Sequence, residues 1–234
     1  SILLAVSLTA CLHAQGGVVV RPNVGGHTGV IQAIAYSGPD SVVTVGLDKI
    51  AYRWDLNSGQ ANPIRFAIGD KLEGLAADVA SFGDAVAIGL LSGVDSKLPS
   101  LIGNAGSSVI SNVIAPGVGK MAWSPDGQSL ACMTFGQKIM AVDRSGSTKW
   151  SFGIPDPDAN RRILDPRSGA ITYSADGKQV ICVFPKPASK TIMRFRLDAI
   201  TGKPVGQIEQ IAAEPVRGAL TTGGNFAWTE APGA

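Results

Sequence analysis

The chain has 234 residues, of which 45% are hydrophobic, so it is long enough to bury the core of an ordinary domain. Its net charge is +2 and its Lys and Arg residues are spread along the sequence, which argues against a basic surface that recruits nucleic acid. The 29 glycines and 14 prolines exceed the usual combined share of about 12%, and this excess favours many short strands joined by tight turns.

The N-terminal segment, SILLAVSLTA, is apolar, uncharged and too short to span a bilayer. It is typical of the hydrophobic region of a secretory signal. Residues 8–11 resemble a bacterial lipobox, in which Cys11 would carry a lipid anchor, whereas residues 12–14 resemble an ordinary signal peptidase site. A buried N-terminal strand is the alternative. We expect residues 1–14 to be a clipped signal and the protein to be exported to the periplasm, cell envelope or medium, with membrane contact only through a lipid on Cys11.

Residues 25–59 carry the most distinctive motif. A Gly-His pair at Gly26 and His27 and a Trp-Asp pair at Trp54 and Asp55 enclose two alternating apolar runs. This stretch resembles one unit of the WD40 family, whose repeat is a four-stranded blade of a β-propeller. The resemblance implies an all-β fold for residues 15–234.

Three further units follow in phase with the first. Serines at the end of a short apolar strand recur 44, 43 and 50 residues apart, close to the roughly 40–45 residues of a WD40 blade. A second marker, a turn that ends in glycine, recurs in step with the serines. The serines are Ser37, Ser81, Ser124 and Ser174, and the glycines are Gly59, Gly106, Gly146 and Gly202.

Alternation and turn residues predict four strands in each unit. The fourth unit also carries an insertion, PKPASK, at residues 185–190. The predicted strands are 30–36, 41–45, 50–56 and 63–68; 75–80, 85–90, 100–103 and 109–114; 120–123, 129–133, 138–142 and 148–152; and 170–173, 179–184, 191–197 and 204–208.

A fifth unit begins near residue 215 with strands predicted at 217–220 and 225–228. The sequence thus predicts about four and a half blades, and propellers close with 4 to 8 of them. Residues 18–20 have the pattern of a lone outer strand from a closing blade. We expect a C-terminally incomplete propeller that is seven-bladed in the full protein, and an oligomeric or poorly soluble product from residues 15–234 alone.

The WD40 resemblance also implies a hydrogen-bonded structural tetrad. Its positions are occupied by His27, Thr44, Asp48 and Trp54. A Thr-His-Asp nucleophilic triad is the alternative, but a triad has no role for the Trp. Later units lose the tetrad: Cys132 and Cys182 replace Thr44, Gly136 replaces Asp48, and Val142 and Leu197 replace Trp54. Both cysteines are therefore expected to pack as core residues without a disulfide.

A second resemblance lies in the third unit, in AVDRSGSTKWSF at residues 141–152. This run is similar to the tryptophan-docking repeat of quinoprotein and outer-membrane-assembly propellers, although it is one residue shorter. The similarity implies that Trp150 docks one blade on another, with ordinary core packing as the alternative. The sequence shows no set of charged residues that would bind a cofactor.

Charged residues gather in two predicted loops. Asp156, Asp158, Arg161 and Arg162 lie in a loop that also holds Asp165 and Arg167, and Lys186 and Lys190 lie in the 185–190 insertion. The carboxylates do not follow an EF-hand spacing and the arginines would oppose a cation, so a solvated loop is favoured over a calcium site. Rigid blades present such loops as binding surface, which makes both loops candidates for contact with a partner.

These features predict a non-catalytic scaffold that binds a protein or peptide and uses no cofactor or metal. The scaffold function comes from the family resemblance alone. Two enzyme alternatives remain: a quinoprotein-like propeller, or an accessory propeller of a larger enzyme whose catalytic domain lies beyond residue 234.

Overall fold

A computed structural model describes residues 26–64, 75–91, 99–104, 112–135, 137–155, 169–186, 191–212, 215–220 and 226–230. Throughout these residues the regular secondary structure is β-strand. The strands are β1 Ile31–Gly38, β2 Ser41–Gly46, β3 Ala51–Asp55, β4 Ala61–Ile64, β5 Leu75–Phe82, β6 Ala85–Leu91, β7 Pro99–Asn104, β8 Asn112–Pro116, β9 Val118–Trp123, β10 Ser129–Thr134, β11 Lys138–Asp143, β12 Thr148–Gly153, β13 Ala170–Tyr173, β14 Gln179–Lys186, β15 Thr191–Asp198, β16 Glu209–Ala212, β17 Pro215–Leu220 and β18 Phe226–Glu230.

The strands form antiparallel sheets in which neighbours in sequence are neighbours in space. The first sheet holds β1–β4, the second β5–β8, the third β9–β12 and the fourth β13–β16, while β17 and β18 form a two-stranded fifth sheet. The first strand of each sheet contacts the first strand of the next. Successive sheets therefore pack face to face in chain order, as the blades of a propeller do.

Alternation within the strands buries both faces of the inner sheets. In β10, Leu130 and Cys132 pack in a cluster with the second sheet, whereas Ala131 and Met133 pack in a cluster with the fourth. Successive strand residues point to opposite faces, so a strand buried on both sides is apolar along most of its length. A third cluster lies between the first and second sheets. The core is thus divided into layers between neighbouring sheets.

Two of the marker serines close the turn between the first two strands of their sheet. Ser124 Oγ donates to Asp126 Oδ1 over 2.5 Å and accepts the Ser129 N–H, and Gly127 takes a φ of +66° that favours glycine. Ser174 and Asp176 repeat this arrangement. Residues at a fixed repeat position therefore build the same turn twice.

The predicted strand at residues 204–208 was wrong. Pro204 forms an isolated bridge with Leu197, and Gly206 has a φ of +77°, which breaks the extended conformation. The last strand of the fourth sheet is β16, which pairs with the start of β15. In addition, β14 continues through Lys186, so the first two residues of the predicted insertion lengthen a hairpin.

Candidate functional site

His27, Thr44, Asp48 and Trp54 lie together beside the first sheet. His27 Nδ1 is 2.9 Å from Asp48 Oδ1 and His27 Nε2 is 2.7 Å from Thr44 Oγ1. An ionised carboxylate is an acceptor, so Nδ1 donates to Asp48, and Nε2 is hydrogen-bonded to the Thr44 hydroxyl. Trp54 Nε1 donates to Thr44 Oγ1 over 2.7 Å. These hydrogen bonds connect residue 27 to β2 and β3.

Asp48 anchors the two loops at this end of the sheet. Its carboxylate accepts the backbone N–H groups of Thr28, over 2.8 Å, and Ile50, over 3.2 Å, in addition to the His27 bond. Burial raises the pKa of Asp48, but the hydrogen bonds from His27, Thr28 and Ile50 outweigh it and hold the pKa below its usual value. The carboxylate is therefore stabilised in its charged form.

The network does not favour catalysis at Thr44. A nucleophile must reach its substrate, but Thr44 is 3% exposed and its oxygen already accepts the indole N–H. Its contacts instead satisfy three buried or half-buried polar side chains, as a structural network requires. The arrangement favours a role in stabilising the first sheet.

Strand register shows what the later sheets place at the position of Thr44. Thr44 pairs with Tyr52 of β3, Cys132 pairs with Met140 of β11, and Cys182 pairs with Phe195 of β15. Both thiols are buried and unpaired, and burial raises the pKa of each. The two cysteines occupy the packing positions expected of them, while Gly136 lies outside the described residues.

Trp150 connects the third sheet to the fourth. Its Nε1 donates to the carbonyl oxygen of Ala199 over 2.8 Å, and its ring is so close to Gly202 that a Cβ there would lie 2.6 Å from it. Gly202 also has a φ of +68°, which favours glycine. Trp150 therefore contacts the neighbouring sheet through both its ring and its N–H.

An ion pair joins the second and third sheets and was not predicted from the sequence. Asp78 Oδ1 lies 3.5 Å from Lys120 Nζ, and Asp78 Oδ2 accepts the Met121 N–H over 2.8 Å. Burial raises the pKa of Asp78, and Lys120 and the Met121 N–H lower it by less. The partners belong to different repeats, so no local spacing in the sequence could reveal the pair.

Two marker serines fasten the first sheet to the second. Ser37 Oγ donates to the carbonyl oxygen of Gly83 over 2.5 Å, and Ser81 Oγ donates to the carbonyl oxygen of Tyr36 over 2.6 Å. Arg53 Nη1 also lies 2.5 Å from Asp84 Oδ1 across the same boundary. The sheets are thus joined by polar contacts as well as by apolar packing.

The candidate partner-contact residues fall mainly outside the described residues. Lys186 ends β14, and its side chain is not described. The strands on either side still locate the two segments: residues 156–168 precede β13, and residues 187–190 join β14 to β15. Because β13 and β14 are antiparallel, both segments connect at the same end of the fourth sheet. Asp156, Asp158, Arg161, Arg162 and Lys190 belong to these segments.

Within the described residues, neither a metal-binding cluster nor a membrane-spanning helix is present. No group of three or more His, Cys, Asp or Glu side chains within them is arranged to hold a metal ion. Nor does the described part of the chain contain a helix long and apolar enough to cross a bilayer.

Comparison with known proteins shows the fold. No protein-family model and no curated protein matches the chain. It is similar to the Cps50 (Swd1) β-propeller domain of Myceliophteria thermophila, with a TM-score of 0.62 and 16% identity over 85% of this chain and 61% of that one. It is also similar to Kuenenia stuttgartiensis hydrazine synthase, with a TM-score of 0.65 and 14% identity over 89% of this chain and 57% of that one. The chain therefore spans about three fifths of each neighbour.

The structural similarity to these two proteins agrees with the antiparallel four-stranded sheets of this chain. The chain is a partial β-propeller of about four blades, as the repeat spacing predicted. Identities of 14% and 16% show the fold and nothing finer.

Proposed function

We propose that this propeller is a non-catalytic, exported scaffold that binds a protein or peptide partner through the loops at one end of its sheets. The observation that carries the proposal is that four connections between strands, which include the charged candidate segments, lie at the same end of their sheets. Residues 156–168 and 187–190 connect at the end of the fourth sheet where β13 begins. Residues 65–74 and 92–98 connect at the corresponding end of the second sheet, before β5 and after β6.

The turns between the first two strands of the sheets, at the opposite end, support this choice by contrast. There the first two strands of a sheet are joined by short turns that hydrogen-bond to themselves, as Ser124 does with Asp126. Such turns have little freedom to adapt to a partner, whereas longer loops on a rigid scaffold are common binding surfaces.

The Cps50 (Swd1) neighbour is a β-propeller domain, and a propeller scaffold of this kind fits the proposal. Export is proposed from the sequence of residues 1–14, and the partner is to be identified by experiment. Mass spectrometry of the mature N-terminus tests export: cleavage near residue 14 or a lipid on Cys11 supports it, and an unprocessed N-terminus contradicts it.

The binding proposal is tested with charge-removing variants at both ends of the propeller. A partner is captured from cell-envelope extract by cross-linking to the purified chain and identified by mass spectrometry, and its affinity is then measured. Arg161→Ala with Arg162→Ala, and separately Lys186→Ala with Lys190→Ala, should each weaken binding by at least about tenfold. Lys178→Ala with Lys203→Ala changes two charges at the opposite end and should leave the affinity unchanged. Equal affinity in all variants would overturn the proposal.

An enzyme-associated propeller is the second candidate. It is favoured by the contact of Trp150 with Gly202, which matches the docking role implied by the quinoprotein resemblance, and by the likeness to hydrazine synthase. The candidate predicts visible absorbance or a stoichiometric metal in the purified chain, or a catalytic domain elsewhere in the complete reading frame. Absorption spectroscopy, metal analysis and the downstream DNA sequence distinguish it from the scaffold.

A further inference from the structure

The sequence contains two Asp-Gly dipeptides and no Asn-Gly, and both Asp-Gly pairs follow a marker serine. They are Asp126-Gly127 in SPDG and Asp176-Gly177 in SADG, at the turns between the first two strands of the third and fourth sheets. An Asp-Gly bond is chemically labile, because glycine has no side chain to hinder attack of its nitrogen on the neighbouring carboxyl group. The repeat thus places both labile bonds at the same structural position.

Isomerisation of an Asp-Gly bond requires its two reacting groups to meet. The glycine nitrogen attacks the aspartate carboxyl carbon, a C–N bond forms, and the amide hydrogen leaves with the carboxyl hydroxyl as water. Water then opens the cyclic succinimide, and opening at the main-chain carbonyl yields isoaspartate, whose main chain runs through the side-chain carbon atoms. The reaction consumes the water that it releases and needs no other reactant. An ionised carboxylate is unreactive in the first step, because it has no hydroxyl to lose.

The turn of the fourth sheet holds both reacting groups in separate hydrogen bonds. The Gly177 N–H donates to the Ser174 carbonyl oxygen over 2.9 Å. Asp176 Oδ1 accepts the Ser174 hydroxyl over 2.6 Å and the Lys178 N–H over 3.1 Å. These hydrogen bonds must break before the nitrogen can reach the carboxyl carbon. The Ser174 bond also lowers the Asp176 pKa, which favours the unreactive ionised form.

The turn of the third sheet repeats these bonds. The Gly127 N–H donates to the Ser124 carbonyl oxygen over 2.8 Å. Asp126 Oδ1 accepts the Ser124 hydroxyl over 2.5 Å and the Gln128 N–H over 3.0 Å. The Ser124 bond lowers the pKa of Asp126 as the Ser174 bond lowers that of its counterpart. One serine hydroxyl therefore restrains the carboxyl group in each turn.

A neighbouring side chain makes the two turns unequal. A Cβ placed on Gly127 would overlap the ring of Phe82, so this ring of the second sheet packs directly on the glycine. The nearest atom to a Cβ placed on Gly177 is Pro125 Cδ, at an ordinary contact distance of 3.5 Å. The main chain at Gly127 must therefore displace an aromatic ring before it can rotate toward the carboxyl group. Rotation at Gly177 is opposed mainly by the hydrogen bonds of its own turn.

We propose that the serine hydroxyl of each turn suppresses isomerisation of the Asp-Gly bond, and that Asp176 is the faster of the two sites to form isoaspartate in the folded chain. Isoaspartate adds an atom to the main chain. The bond from the Ser174 N–H to the Gln179 carbonyl oxygen, which closes the β13–β14 hairpin over 2.9 Å, would then lose its geometry. Asp176 is thus a site at which slow spontaneous modification opens the fourth sheet.

Time-resolved peptide mapping of the 234-residue chain in mildly acidic buffer tests this. Trypsin digestion followed by chromatography separates isoaspartyl peptides from aspartyl peptides of the same mass, and electron-transfer dissociation identifies them. The rate at each bond is divided by its rate in the same buffer with urea, which removes the effect of the flanking residues. Both ratios should be well below one, with that of Asp176 above that of Asp126. Ratios near one, or equal ratios at the two bonds, would overturn the proposal without the use of any variant.

Variants then separate the serine from the rest of the turn. Ser174→Ala should raise the rate at Asp176 at least about tenfold and leave the rate at Asp126 unchanged, because it removes a hydrogen bond to a charged group in one turn only. Ser174→Thr keeps the hydroxyl and should retain the slow rate. Ser124→Ala should raise the rate at Asp126 by a smaller factor, and the addition of Phe82→Ala should raise it further. An unchanged rate in Ser174→Ala, or an equal rise at both bonds, would overturn the role of the serine.

The bond in the unaltered turn is the internal control for each variant. General unfolding exposes both turns and raises both rates, whereas loss of one serine hydroxyl affects its own turn alone. Circular dichroism during the incubation confirms that each variant stays folded while the rates are measured.

Discussion

The ring of Trp150 lies against the backbone of Gly202, at a distance where a Cβ on residue 202 would be 2.6 Å from the indole. The indole N–H donates to the Ala199 carbonyl oxygen three residues earlier in the same turn. The contact thus fixes the β15–β16 connection of the fourth sheet against the third sheet. It depends on a residue without a side chain at position 202.

Gly202→Ala should destabilise the propeller by about 2–5 kcal/mol, because the new methyl group both strains a left-handed backbone and displaces the indole. Gly206→Ala is the matched control: its φ of +77° is also positive, but no atom lies within 4 Å of the added Cβ. It should cost about 1–2 kcal/mol from backbone strain alone. Urea unfolding followed by circular dichroism measures both values, and equal losses would contradict the Trp150 contact.

Thr44→Val should destabilise the first sheet, because it leaves His27 Nε2 and Trp54 Nε1 without a hydrogen-bond partner. Each unsatisfied buried group costs about 1–3 kcal/mol. Thr28→Val makes the same substitution at an exposed residue of the neighbouring loop, where Asp48 contacts the backbone N–H, and should change stability little. Thermal unfolding of the three proteins tests this, and a Thr44→Val protein as stable as the unmodified chain would rule out a stabilising network.

Much of this architecture follows from local sequence. Alternation and turn residues predict β1, β10 and β13, because each strand is followed by turn residues. The same turn residues recur in successive repeats, which strengthens the prediction. The Thr44 network was implied by the resemblance of one well-preserved unit to the WD40 repeat. The outer strand β16 was not predicted, because the Asp198 turn and the positive φ of Gly206 place its pairing several residues later than residues 204–208.

Contacts between repeats other than that of Trp150 were not predicted from the sequence, for a different reason. The distance between Asp78 and Lys120 depends on how two sheets pack, and neither residue belongs to a motif. The exposure of Tyr36 could not be predicted either, because Tyr36 and the buried Trp123 occupy the same position in their repeats. What covers a residue in a propeller is decided by its neighbouring sheet.

Cys132 and Cys182 should be unreactive in the folded protein, because both are buried and burial raises the pKa of each thiol. On a Cys11→Ser background, no thiol should react rapidly with Ellman's reagent in native buffer, and two should react after denaturation in guanidinium chloride. Fast reaction of either thiol in native buffer would show that the sheets separate in solution. Measurement at several urea concentrations below the unfolding transition would then report the opening.

The ionisation of Asp78 should lower the free energy of unfolding as pH rises. Most of the described aspartates with a shifted pKa should have the opposite effect, because their pKa is lowered. Its pKa is raised above 3.8 in the folded protein, so folding favours the protonated form and stability is lost as the pH climbs from 3.8 through the folded pKa. Asp78→Asn keeps an acceptor for the Met121 N–H and does not titrate, so its stability relative to the unmodified chain should increase over this range.

Asp176→Asn provides the control of opposite sign. A hydrogen bond from Ser174 and another from the Lys178 N–H lower the Asp176 pKa, so its contribution is present above pH 3.8 and is lost as the pH falls through the folded pKa. The unmodified chain should therefore gain stability relative to Asp176→Asn as pH rises. Urea unfolding of the three proteins between pH 3 and 8 yields the two difference curves. Slopes of the same sign would show that burial of Asp78 between the sheets does not control its titration.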